Sequence, residues 1–156
     1  MGEERFMKEA IRLSVENVES GKGGPFGAVV VKDGQIIARG WNQVTATNDP
    51  TAHAEVVAIR QACKELNSFQ LEGCEIYTSC EPCPMCLGAI YWARPDKIYY
   101  ANTKEDAKEI DFDDQFIYEE IEKPIEKRKL FTKQMLRDEA ILAFKKWSES
   151  ENVTRY

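Results

Sequence analysis

Histidine is almost missing from this sequence: His53 is the only one in 156 residues. Long apolar runs are missing too. The longest of note, Ala28-Val29-Val30-Val31, falls far short of the roughly 18 residues that cross a bilayer, which argues against a membrane-spanning helix. The start, Met1-Gly2-Glu3-Glu4-Arg5-Phe6, is charged and has no apolar signal region, so a cytoplasmic protein is expected. The sequence has no repeat, no low-complexity tract and no linker rich in Pro, Gly or Ser. Gly21-Lys22-Gly23-Gly24 lacks the Gly-Lys-Ser/Thr ending of a phosphate-binding loop and reads as a flexible connection. There is no basic excess either: a net charge of −6 argues against an extended nucleic-acid surface.

The composition that remains, 43% hydrophobic and 31% charged, is globular and excludes a disordered or collagen-like chain. The length suits one domain whose core needs no disulfide staples. Five cysteines, an odd number without a signal peptide, fit a reducing compartment, where they serve as core residues, metal ligands or nucleophiles.

Phe6, Ala10, Leu13 or Ser14, and Val18 recur at helical spacing, and Gly21 can end that helix. Phe26 to Lys32 reads as a buried strand, and Asp33-Gly34 as a tight turn into a second strand, Gln35 to Trp41. Val56, Ile59, Ala62-Cys63 and Leu66 mark the next helix. A strand over Cys74 to Thr78, a helix from Pro84 to about Trp92 and a strand over Lys97 to Ala101 follow. Beyond these, a helix is expected over Gln115 to Ile121, Pro124 interrupts the pattern, and Leu136, Ala140, Phe144 and Trp147 predict a last amphipathic helix. A hairpin followed by strand–helix units implies an α/β domain with a mixed sheet covered by helices.

Two segments carry chemistry: His53-Ala54-Glu55 and Pro82-Cys83-Pro84-Met85-Cys86, each at a helix start. Imidazole and thiolate are good zinc ligands, and one His with two Cys leaves a tetrahedral ion one open position, the mark of a catalytic rather than a structural zinc. Proline favours the first helical position, so Cys83 is expected as N-cap, Pro84 as N1 and Cys86 as N3. Both sulfurs then lie at a positive helix tip that favours thiolate. His53 and Glu55, two apart, would point in nearly opposite directions along a regular helix and converge only beyond its end. The break at Asp49-Pro50 permits that. Cys80 extends the series to Cys80, Cys83 and Cys86; with all three bound, the site would be closed and structural. Against this, Glu81 precedes Pro82 and is pushed to extended backbone, carrying Cys80 away from the helix tip.

The H-x-E and P-C-x-x-C pair is the zinc-deaminase signature, with the glutamate as acid and base rather than ligand. On it, the chain resembles the cytidine deaminase-like superfamily. That resemblance implies a three-layer α/β/α fold with a central mixed sheet of about five strands, one zinc per subunit on His53, Cys83 and Cys86, and Glu55 as the catalytic residue. Zinc then lowers the pKa of its water, and Glu55 moves the proton to the ring nitrogen and the departing amine. A non-catalytic zinc-stabilised binding module is the reading from another class, and it would have no use for Glu55.

Over nearly its whole length the chain looks like the small bacterial guanine deaminases of that superfamily. The segments that carry this are Gly23-Gly24-Pro25-Phe26-Gly27-Ala28-Val29, Asn48 to Glu55 and Thr78 to Ala93. The first three-quarters would also suit a tRNA adenosine deaminase, or a deaminase of another small aminated base or triazine. Phe112-Asp113-Asp114-Gln115-Phe116-Ile117-Tyr118 and the terminal Tyr156 separate the guanine enzymes. The resemblance implies that Asp114 accepts from N1–H and the exocyclic amine of guanine. It implies further that Asn42 binds the polar purine edge, that Phe26 and Trp92 wall the base, and that Tyr156 closes the pocket. It also implies one domain over residues 1–156 acting as a homodimer, with a C-terminal segment of about 110–156 exchanged so that Tyr156 serves the partner's site.

From the bare sequence, Asp113 and Asp114 could equally cap the helix at Gln115, Phe26 and Trp92 could be core, and Asn42 a turn residue. Cys63 and Cys74 read as small buried apolar groups. Lys123 to Arg137 is locally basic, either a solvated helix face or a phosphate-binding patch; with an acidic chain the first is favoured and nucleic acid is not expected as a partner.

Overall fold

Asp33 and Gly34 both take positive φ, 49° and 72°, and turn the chain back on itself in two residues. Around that turn, the computed structural model describes residues 2–156. In order they form α1 (Glu4–Glu19), β1 (Gly27–Lys32), β2 (Gln35–Trp41), α2 (Val44–Thr47), α3 (Ala54–Leu66), β3 (Cys74–Cys80), α4 (Pro84–Ala93), β4 (Lys97–Asn102), α5 (Lys104–Glu109), α6 (Gln115–Glu122) and α7 (Arg137–Glu149). A short 3-10 turn covers Ile125–Lys127. The chain divides after Asp114 into two units.

The first unit holds a sheet in the order β2-β1-β3-β4. β1 is antiparallel to both β2 and β3, and β3 runs parallel to β4, so the sheet is mixed. Its four strands among the described residues come close to the five the resemblance implies. β1 is apolar on both sides because both sides are covered. Val29 and Val31 pack with Tyr77 against Phe6 and Leu13 of α1. Ala28 and Val30 pack with Ile76 on the opposite side against Ala54, Ala58, Ala62 and Ile90 of α3 and α4. The period-2 alternation of the strand thus divides between two helical layers, giving the three-layer α/β/α architecture.

Small residues bring α3 down onto the sheet. Ala54, Ala58 and Ala62 recur every four residues on its inner face, and Gly40 of β2 lies beneath them. A Cβ on Gly40 would stand 2.2 Å from the carbonyl oxygen of Ala54 and 2.6 Å from the amide of Ala58. Only glycine fits there, so the first turn of α3 is held at a fixed height over the strand.

The second unit is built differently. Neither α6 nor α7 has a buried residue, and Leu130, Phe131, Met135, Leu136 and Phe144 are exposed. Three local expectations change. α2 and α5 were not foreseen, and the basic stretch 123–137 is solvated but is not a helix face: after the 3-10 turn it runs without regular structure until α7. Among the described residues no helix is long and apolar enough to cross a membrane.

Candidate active site

The starts of α3, α4 and α5 follow the sheet's edge where β3 and β4 end, and in open α/β sheets this is where ligands bind. His53 is the N-cap of α3 and Cys83 the N-cap of α4, both with extended backbone (ψ 156° and 167°). Pro84 occupies the first turn of α4 and Cys86 its third position, as the spacing predicts. The two helix tips meet. His53 Nδ1 lies 3.5 Å from the sulfurs of both Cys83 and Cys86. The three ligand atoms all lie within 4.8 Å of one another.

The electrostatics of this group call for a cation. The thiol of Cys83 is drawn down by hydrogen bonds from Cys86 and His53, while Cys86 is pushed up by the adjacent Cys83 sulfur and by burial. One thiolate is strongly favoured and a second strongly opposed, so both sulfurs ionise only around a shared positive charge. His53, two cysteines and the positive ends of two helices form a donor set that fits zinc, three ligands with one position left open. Cys80 stays outside it. It ends β3, its thiol points to the carbonyl of Thr103 at 3.6 Å, and burial pushes its pKa up to about 11. Cys74 is fully buried, as expected, whereas Cys63 is only partly buried and packs against the same core.

Glu55, only 6% exposed, sits beside the group at the second position of α3. Its Oε2 accepts from Cys86 Sγ at 3.4 Å and its Oε1 from the hydroxyl of Thr78 at 3.2 Å. Loss of solvent pushes this carboxyl up, toward a group that can both take and return a proton. His53 and Glu55 do converge beyond the helix end, as the sequence requires.

The proposed base-binding residues fall into two sets. Phe26 and Asn42 lie side by side: the Asn42 amide donates to the carbonyl of Phe26 at 3.2 Å. The amide of Gln43 in turn donates to the carbonyl of Ala52, next to His53, at 2.9 Å. Asn17 of α1 ties this corner together, since its Nδ2 donates to the carbonyls of Gly24 (2.8 Å) and Asn42 (2.9 Å). Phe26 stacks edge-on against Phe112 at 5.0 Å, and two residues later Asp114 is half-buried. Burial raises the Asp114 carboxyl, and repulsion from the Cys83 sulfur adds to that, which places its charge in the field of the metal group. Trp92 and Tyr156 form the other set, both exposed. Trp92 lies at the far end of α4, roughly 13 Å along the axis from its cap, and is 65% exposed. Tyr156 belongs to the second unit and is 68% exposed.

Sequence reasoning missed Asn17, Thr78 and Ser79. Ser79 Oγ accepts from the Gly27 amide at 3.0 Å and anchors the start of β1 next to Phe26. The available signal was weak: three polar residues at positions whose periodicity calls for burial.

Comparison with known proteins agrees with this geometry. The family model described as the cytidine and deoxycytidylate deaminase zinc-binding region matches residues 1–102. Guanine deaminase of Bacillus subtilis (strain 168) is 56% identical over 156 residues, all of both chains. The X-ray structure of guanine deaminase from Bacillus subtilis superposes with a TM-score of 0.96, covering 100% of this chain and 99% of that one. A tRNA-specific adenosine deaminase of Aquifex aeolicus (strain VF5) is 46% identical over 101 residues, 65% of this chain and 66% of its own. Guanine deaminase from Nitrosomonas europaea, 33% identical, superposes with a TM-score of 0.68 over 72% of this chain and 65% of that one. The paired helix tips and these similarities lead to one family, and the chain belongs to the cytidine and deoxycytidylate deaminase zinc-binding family.

Proposed function

We propose that this protein hydrolyses guanine to xanthine and ammonia, with one zinc per subunit held by His53, Cys83 and Cys86. The observation that carries the substrate is the reach of the similarity. Identity to a guanine deaminase runs through all 156 residues, whereas the tRNA-specific relative is matched over 101.

Bound zinc supplies a Lewis acid that lowers the pKa of water toward neutrality. Glu55 would take one proton from the attacking water and pass it to the ring nitrogen beside the reacting carbon, then move the remaining proton of the added hydroxyl to the amine as its C–N bond breaks. Water adds and ammonia leaves, so guanine plus water balances xanthine plus ammonia. Asp114 accepts from N1–H and the amine, Asn42 binds the polar purine edge, and Phe26, braced by Phe112, forms one wall of the pocket. Trp92 and Tyr156, both exposed, supply a second wall and the closure in a homodimer. There the segment of about 110–156 is exchanged and Tyr156 serves the partner's site, with each chain otherwise acting as one zinc-dependent deaminase domain. The apolar surface of the second unit supports that exchange. Five free cysteines suit the reducing cytoplasm.

The zinc-loaded protein, incubated with guanine, adenine, cytosine and tRNA while ammonia is measured, tests the assignment. Ammonia and xanthine are expected from guanine. Inosine in tRNA with no ammonia from guanine would overturn it in favour of the tRNA reading. No ammonia from any of them would leave a zinc-stabilised binding module.

A further inference from the structure

Thr78 occupies a position where an apolar residue would be expected. Cys74 and Ile76, four and two residues before it on the same side of β3, are fully buried in the core beneath α3 and α4. Thr78 is equally buried, and a hydroxyl there must find partners within the protein. It has two: the carbonyl of Cys80 at 3.0 Å and Oε1 of Glu55 at 3.2 Å. The second contact links residues 23 positions apart, on a strand and on a helix.

The two oxygens of Glu55 are thereby told apart. Oε1 is turned to the sheet and Thr78, while Oε2 is turned to Cys86, 3.4 Å from its sulfur. Nothing intrinsic to a glutamate side chain fixes that plane, because its last torsion is broad and roughly two-fold. Main-chain geometry places the carboxyl group, and a neighbouring donor must choose which way it faces. Ser79, the next residue, turns its hydroxyl to Gly27 instead, so only one of the two consecutive hydroxyls reaches Glu55.

We propose that Thr78 is a positioning residue for the deamination step: it holds Oε1 of Glu55 so that Oε2 faces the His53, Cys83 and Cys86 group and the purine. This rests on the guanine deaminase reading above. The hydroxyl of Thr78 bonds to Glu55 and to the carbonyl of Cys80 rather than to His53, Cys83 or Cys86, so its removal acts on turnover and spares binding. A purely structural threonine, bonded only to the carbonyl of Cys80, would affect thermal stability and leave turnover alone.

The test compares wild type with Thr78→Val, Thr78→Ala and Thr78→Ser, each zinc-loaded, by metal content, kcat and KM for guanine, and xanthine affinity by calorimetry. Thr78→Val should keep one zinc per chain, with KM and the xanthine Kd within about twofold of wild type and kcat lowered about tenfold or more. Thr78→Ser, which restores the hydroxyl, should recover kcat to within about threefold. If the valine variant does not fold, Thr78→Ala gives the same comparison without placing a branched apolar group against two oxygens. An unchanged kcat in the valine or alanine variant, a loss confined to KM and xanthine affinity, or a serine variant no better than alanine would each overturn the proposal. A wild-type protein releasing no ammonia from guanine would sink the functional reading instead, and the two failures are therefore distinct.

Discussion

Glu55 and the three candidate ligands meet at the tips of two helices, so their roles separate cleanly by substitution. Glu55→Gln keeps the volume and removes proton transfer. Since Glu55 is not one of the three grouped ligand residues, the variant should retain one zinc per chain by atomic absorption. It should also lose turnover by at least about a hundredfold, the lower end of what a positioned acid–base group contributes. An active Glu55→Gln protein refutes the role. Cys80→Ala probes the opposite case. The Cys80 thiol points to Thr103 rather than to the metal group, so zinc should stay stoichiometric and only stability should fall. Loss of zinc in that variant would make Cys80 a ligand. Caps and spacing made His53, Glu55, Cys83 and Cys86 legible in the sequence, because proline and helix-start chemistry act locally. Asn17 and Thr78 were not legible: a buried amide in a helix and a buried hydroxyl in a strand take their meaning from partners 25 and 23 residues away.

Between elements, an ion pair ties α1 to the edge strand β2. Glu9 accepts from Arg12 on its own helix and from Arg39 of β2 at 2.7 Å. Arg12, and then Arg39, hold its carboxyl down to about 2 from an ordinary 4.5. A carboxyl depressed in the folded state stabilises the fold in full above its unfolded pKa, and that stability is lost as pH falls through the folded value. Melting temperature should therefore fall between pH about 4.5 and about 2 in wild type, and less steeply in Glu9→Gln. Because both arginines are half-exposed, the variant should lose only about 1 kcal/mol at pH 7, roughly 3 °C of Tm. Equal slopes in the two proteins would refute this. At this scale the hairpin, the three longer helices of the first unit and the strands were readable from helical spacing, apolar runs, the Asp33-Gly34 turn and the prolines at the start of α4. α5 was not, since its six residues LysGluAspAlaLysGlu are almost uniformly charged. Its start is set instead by a capping box between Thr103 and Asp106.

Across the whole molecule, the second unit raises the question of what covers its apolar residues. Phe131 is 86% exposed and Leu130 80%, and neither α6 nor α7 buries a residue. A soluble chain seldom leaves such a set in water, and exchange between two identical chains is a low-cost way to cover it. On the proposed exchange, Tyr156 completes the site of the partner, and pairing two defective chains distinguishes this from a site closed by its own chain. Glu55→Gln disables the site of the chain that carries it. Tyr156→Ala would disable the site of the other chain. Co-refolded one to one, half of the dimers contain one chain of each kind. In such a dimer the Tyr156→Ala chain keeps its own Glu55 and receives an intact Tyr156 from the partner. That site works and the other is doubly defective, so the mixture should recover about a quarter of wild-type activity from two inactive proteins. If each Tyr156 closes the site of its own chain, no dimer contains a complete site and mixing recovers nothing.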